Sequence, residues 1–104
     1  MDFSKLNGLV AAVIQDAATR EVLMVGFMNQ AALDRTVESG FATFFSRTRN
    51  KLWMKGETSG NKLQVVEMFT DCDDDTVLVK VKRLGDGNVC HTGERTCFFK
   101  AIES

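Results

Sequence analysis

Proline and tyrosine are absent from the 104 residues, and histidine and tryptophan occur once each. The first two absences exclude nothing by themselves. Other shortages exclude more. The longest apolar run, from Val22 to Met28, falls far short of the ~20 residues that cross a bilayer as a helix. Neither sign of charge dominates: thirteen Lys and Arg against fourteen Asp and Glu give a formal net charge of −1. A duplex nucleic acid is thereby disfavoured as the main partner, since that role needs a basic footprint. Local basic clusters still suit a small phosphorylated ligand. The three cysteines are an odd number and cannot close an intrachain disulfide framework. No Cys-x-x-Cys pair is present to supply the usual thiol-redox motif. Met1-Asp2-Phe3 begins with an acid instead of the basic residues of a secretory leader, so the expectation is a cytoplasmic chain. In that compartment thiols serve metals, chemistry or packing.

What remains is an ordinary soluble composition, 44% hydrophobic and 26% charged, which argues against disorder. The length suits one domain over residues 1–104, with no linker or repeat to divide it. Residues 9–14 and 21–27 are short, apolar and β-branched, and the polar stretch between them predicts a hairpin. Their near-continuous apolar character predicts strands covered on both faces. Asn29 reads as a helix N-cap and Gly40 as a left-handed stop, predicting one helix over Gln30–Ser39 with Ala32, Leu33, Thr36 and Val37 inward. Strands follow at residues 42–46, 52–54, 63–70, 77–81 and 97–101, with turns at 48–51 and 85–87 and a loop at 56–61. The expected fold is α+β, mostly antiparallel strands with one main helix in a compact single domain.

Three segments carry chemistry. Asp71-Cys72-Asp73-Asp74-Asp75 puts four carboxylates into five residues, which repel unless water or a cation intervenes. An extended backbone would set Asp71, Asp73 and Asp75 on one face and Cys72 on the other. Three hard oxygen donors suit Mg²⁺. An EF-hand is excluded, because Thr76 and Lys82 stand where that loop needs Gly and Glu. The second segment is Cys90-His91-Thr92-Gly93-Glu94-Arg95-Thr96-Cys97, two thiols and an imidazole around a glycine. With Cys72 the thiols number three, and three protein ligands with an open fourth position mark catalytic zinc. His91, adjacent to Cys90, is better placed as the acid/base group than as a fourth ligand. The third segment joins Arg47, Thr48 and Arg49 to Trp53 and to Lys55-Gly56-Glu57-Thr58-Ser59-Gly60. Glycines, hydroxyls and cations suit an anion, and Trp53 could stack on a base. No Walker loop is present.

Taken in order, Ser46-Arg47-Thr48-Arg49, Leu52-Trp53-x-Lys55-Gly56-Glu57-Thr58-Ser59-Gly60, Asp71-Cys72-Asp73-x-Asp75 and Cys90-His91-Thr92-Gly93-Glu94-Arg95-Thr96-Cys97-Phe98 resemble the phosphoribosyl-AMP cyclohydrolase family of histidine biosynthesis. The likeness runs from Gly8 to Phe99. Ala11 stands where that family commonly has proline, and Met54 where it often has a polar residue or histidine. The resemblance implies an intertwined homodimer that opens the adenine ring of 1-(5-phosphoribosyl)-AMP at N1–C6. It implies Asp71, Asp73 and Asp75 as Mg²⁺ ligands and Cys72, Cys90 and Cys97 as ligands of one Zn²⁺ per subunit. In the family Cys72's counterpart comes from the other subunit. The substrate's two phosphates give Arg47, Arg49, Lys55 and residues 56–60 a role as charge clamps. The alternative is a non-catalytic interaction module stabilised by zinc, which would need a fourth protein ligand.

Overall fold

The apolar segments pair into two sheets, and the computed structural model describes residues 1–103 of the chain. β1 (Val10–Asp16) and β2 (Val22–Met28) form the expected hairpin. α1 (Gln30–Ser39) follows, then β3 (Thr43–Ser46), β4 (Lys51–Met54), β5 (Leu63–Thr70) and β6 (Thr76–Arg83). The larger sheet runs β2-β1-β6-β5, and β3 pairs with β4 in a second, two-stranded sheet. Three of the four strand pairings are antiparallel, but the central β1–β6 pair is parallel. The long path through α1 and the small sheet makes that parallel return possible.

The helix begins and ends at the expected residues. The Asn29 side chain accepts from the Ala32 N–H at 2.8 Å, and Gly40 closes the last turn at φ 78°. Only Ala32 and Thr36 are fully buried on it, whereas Val37 lies 67% exposed, so its inward stripe is narrower than the sequence predicts. Thr36 is tolerated inside because its hydroxyl bonds the Ala32 carbonyl and accepts the Thr43 N–H.

The core lies on one face of the large sheet. Val10, Ala12 and Ile14 of β1 and Val77, Val79 and Val81 of β6 point inward, against Phe44, Leu63 and the helix. Gly26 faces the Phe44 ring so closely that an added Cβ would come within 2.6 Å of it. Coverage on both faces is not what a single chain provides. Register places Val25 beside Val13, Val13 beside Leu78, and Leu78 beside Phe69, an apolar row across all four strands on the outer face. Val25 and Phe69 are nearly half exposed. Lys80 Nζ lies 5.5 Å from the centroid of the Phe69 ring, and among the described residues the row otherwise stands open.

The predicted strand at residues 97–101 is absent. Cys97 makes one backbone bond to β2, donating to the Leu23 carbonyl, and no ladder continues because Phe98 and Phe99 turn outward. No helix of the described residues is long and apolar enough to cross a membrane.

One buried ion pair ties the sheet's end to its hairpin. Asp16, 5% exposed, accepts from Arg83 Nε at 2.7 Å and from the N–H groups of Ala18 and Thr19. Burial pushes the Asp16 carboxyl up, but those three donors together hold it below its ordinary value. Such a group stabilises the fold above its unfolded pKa near ~3.9, and the contribution disappears as pH falls through the lower folded value. Asp16→Ala should therefore cost about 3 kcal/mol near neutral pH, leaving Arg83 without its partner. Thermal unfolding followed from pH 7 down into acid checks this, with the gap between the two proteins narrowing as the Asp16 carboxyl protonates.

Candidate active site

Cys90 and Cys97 are brought together by a loop that folds on short backbone bonds. Gly93 donates to the Cys90 carbonyl at 2.9 Å, while Cys90 donates to Glu94 at 3.0 Å. Gly93 holds φ 92°, so the sharp reversal here suits a residue without Cβ. The far end is pinned to the hairpin. The buried Thr96 hydroxyl donates to Val22, and Arg95 grips both Glu21 carboxylate oxygens at 2.7 and 2.9 Å. Glu21 is held below its ordinary value, first by that Arg95 bond.

The two thiols lie side by side and are not equivalent. The Thr92 hydroxyl donates to Cys90 Sγ at 3.1 Å, and this bond leads the influences that pull the Cys90 thiol down. Burial, followed by the neighbouring Cys90, pushes the Cys97 thiol up. Lys55 favours the thiolate of both. One proton is thus released more readily than the other, as expected when adjacent anions repel.

His91 and Cys90 border a cavity of about 340 Å³ that Lys55 and Ser59 close from the opposite side. A neighbouring groove of about 410 Å³ takes in Arg49, Trp53 and Lys55 together with Gly56, Glu57, Thr58 and Ser59. Lys55 and Ser59 belong to both hollows. Gly56 has φ 80°, and a Cβ there would collide with the Asn61 backbone. Gly60 has φ 82° and donates to the Gly56 carbonyl at 2.8 Å. Trp53 is half-buried: its ring packs 5.0 Å from Phe44 while it also lines the groove. Arg47 is placed elsewhere, its guanidinium 4.3 Å from the centroid of Phe27 on the other side of the β3–β4 turn.

The acidic segment is a turn between β5 and β6 and not an extended strand. Asp74 takes φ 58°, its N–H donates to the Asp71 carbonyl, and the Asp71 side chain accepts the Asp75 N–H at 3.1 Å. The alternation expected of extended backbone therefore does not set these side chains. Tight turns let Asp accept from nearby backbone, and five polar residues between two paired strands have little else to satisfy them. Lys5 reaches Asp75 at 2.9 Å, a contact the sequence does not reveal because seventy residues separate the pair. The Lys5 bond is also the first cause that holds the Asp75 carboxyl down.

Cys72 sits in this turn, exposed, and away from the other thiols. Its turn lies by Thr76, which is in register with Ala11, whereas Cys97 bonds Leu23 near the other end of β1. Ala11 and the Ile14–Gln15 position opposite Leu23 are three to four residues apart, roughly 10–13 Å at ~3.3 Å per residue, and the turn carrying Cys72 extends beyond Thr76. Among the described residues no three His, Cys, Asp or Glu side chains are grouped closely enough to hold a metal ion. The donor chemistry nevertheless fits two cations of different kind: soft sulfur donors for Zn²⁺ and hard carboxylates for Mg²⁺.

Two further residues escaped the sequence reading. Thr92 acts on the Cys90 thiol, and a hydroxyl two residues from a candidate ligand was the available signal. Asn61 bonds the Asp86 N–H and the Asn88 carbonyl, linking the glycine-rich loop to the segment that carries Cys90.

Known proteins resemble this chain along nearly its whole length. A family model described as phosphoribosyl-AMP cyclohydrolase matches residues 24–99. The phosphoribosyl-AMP cyclohydrolase of Solibacter usitatus is 60% identical over 104 residues, covering 100% of this chain and 82% of that protein. That of Citrifermentans bemidjiense is 58% identical over the same span and the same shares. The histidine biosynthesis bifunctional protein HisIE of Bacteroides thetaiotaomicron is 59% identical over 98 residues, covering 94% of this chain and 47% of that protein. With near-complete coverage at this identity, the chain belongs to the phosphoribosyl-AMP cyclohydrolase family.

Proposed function

We propose that this chain hydrolyses the N1–C6 bond of the adenine ring in 1-(5-phosphoribosyl)-AMP at a zinc centre shared between two cytoplasmic subunits. Phosphoribosyl-AMP cyclohydrolase activity, a hydrolase step of histidine biosynthesis, comes with the family. The observation that carries the finer reading is the separation of the thiols. Cys90 and Cys97 share a loop, and Cys72 lies at the other end of β1. A set of three thiolates therefore requires Cys72 from a second copy. The outer row of Val25, Val13, Leu78 and Phe69 offers that copy an apolar face. A two-fold contact would create two equivalent centres, one zinc for each subunit.

Cys72, Cys90 and Cys97 would hold the zinc, leaving a fourth position open. When bound, the metal supplies a water whose pKa falls toward ~7 and which can attack C6. His91, exposed at the mouth of the cavity beside Cys90, can take the water proton and return it to the departing N1. Protonation of N1 matters because an anionic ring nitrogen is a poor leaving group. Trp53 presents a ring to the groove while resting on Phe44, suiting it to the adenine. Arg49, Lys55 and residues 56–60 supply cations and backbone around one phosphate, and Arg47, in a separate hollow across the turn, is available to the second.

Asp71, Asp73 and Asp75 would hold Mg²⁺, which neutralises phosphate charge near the substrate. Asp71 already caps its own turn and Asp75 meets Lys5, so Asp73 has the least structural work. Asp73→Asn should retain zinc and lose most activity, with part of the loss restored by added Mg²⁺ through mass action. Metal analysis beside an absorbance assay of ring opening tests the whole reading. A zinc-free preparation with full turnover would overturn it; wild-type turnover of the Asp73 variant at trace Mg²⁺ would remove the second metal.

A further inference from the structure

A hollow of about 740 Å³ lies outside the groove described above, between the N-terminal segment and the β3–β4 turn. Its size falls within the ~300–1,000 Å³ of small-molecule sites. Two cations line it, Lys5 and Arg47, together with Asn7 and Asn50. Phe27 and Phe45 provide an apolar wall. Arg47 sits with its guanidinium over the Phe27 ring and has no carboxylate within ion-pair distance among the described residues. Lys5 uses one of its three ammonium donors on Asp75 and keeps two. Asn7 and Asn50 both hold φ 53°, a left-handed conformation that is uncommon outside glycine and recurs at ligand sites.

A nucleotide with phosphoribosyl groups on two ring nitrogens presents two phosphates too far apart for one anion site. The β3–β4 turn separates two hollows, with Arg47 in one and Arg49 in the other. We infer that the 740 Å³ cavity receives one phosphoribosyl arm of the substrate, its phosphate on Lys5 and Arg47 and its ribose hydroxyls on Asn7 and Asn50. This rests on the cyclohydrolase activity but not on the zinc. It has a consequence for assembly. Lys5 is bonded to the turn that carries Cys72, so the cavity accompanies Cys72 and not the Cys90–Cys97 pair. In a centre completed across two subunits, the two arms of one substrate lie in different subunits.

Lys5→Met tests it, because the substitution removes charge from an exposed residue and keeps the apolar stem. At saturating Mg²⁺ the KM for phosphoribosyl-AMP should rise at least about tenfold, the scale of one charged hydrogen bond. The kcat should stay within about threefold, as for a contact held equally in ground and transition states. Lys5→Arg should restore most of the affinity, and Lys82→Met, which removes an exposed charge on β6, should change nothing. An unchanged KM, an equal shift in the Lys82 variant, or a fall in kcat alone would overturn the assignment. Binding of ribose 5-phosphate by calorimetry reads the arm site without turnover. Weaker binding after Lys5→Met supports the assignment; equal binding, or none to the unaltered protein, refutes it. A protein inactive on phosphoribosyl-AMP yet sensitive at Lys5 in this assay would overturn the activity and leave the anion site standing.

Discussion

Cys90→Ser is expected to strip the zinc and reduce turnover by ~10³-fold or more, the several kcal/mol that a metal-acidified water contributes. A hydroxyl is a harder and poorer ligand than a thiolate, and serine stays protonated where the Thr92 hydroxyl and Lys55 favour the Cys90 thiolate. Cys97→Ser and Cys72→Ser should behave alike, although the three positions differ in setting. Cys97 is bonded through its backbone to Leu23, and Cys72 lies in an exposed turn remote from both. Equal losses at such unlike sites would have one common cause, a shared ion. Zinc content and ring-opening rate measured on each purified variant decide the matter. Full zinc with normal turnover in any one of them removes that cysteine from the centre.

Mixing the inactive Cys72→Ser and Cys90→Ser proteins is expected to regenerate activity. In the proposed shared-site dimer each hybrid would have two centres, one combining both defects and one combining both intact segments. Random exchange makes half the dimers hybrid, so about a quarter of wild-type sites should return, by the symmetry of an isologous dimer. Cys90→Ser mixed with Cys97→Ser should recover nothing, because those thiols share one loop of one chain. That contrast separates a shared centre from any general benefit of mixing. Subunit exchange shown by mass or fluorescence, with no recovery in the first mixture, would place all three thiols within one chain.

Local patterns predicted the helix and its two caps, because Asn29 and Gly40 act on backbone groups within one turn. They also predicted both hairpin strands and four of the five later ones, the strand at 97–101 being absent. The parallel β1–β6 pairing was not legible, since no local residue states which strand a distant segment will join. The assumed extension of residues 71–75 failed for a related reason. A short acidic run can alternate along a strand or satisfy its own backbone in a turn, and the antiparallel closure of β5 on β6 imposes the turn.

Ligand chemistry was readable from residue type alone: thiolate and imidazole in one segment, carboxylates in another, cations and glycines in a third. Softness, hardness and charge belong to the side chains wherever they stand. Placement belongs to the fold. Only the tertiary structure put Arg47 and Arg49 into different hollows and seated Lys5 on Asp75. Only the sheet's register set Cys72 and the Cys90–Cys97 pair toward opposite ends of β1. The same register lined up Val25, Val13, Leu78 and Phe69 on an uncovered face. Distances between remote segments depend on which strands pair and in what direction, a choice made by burial of the whole core and carried by no single motif.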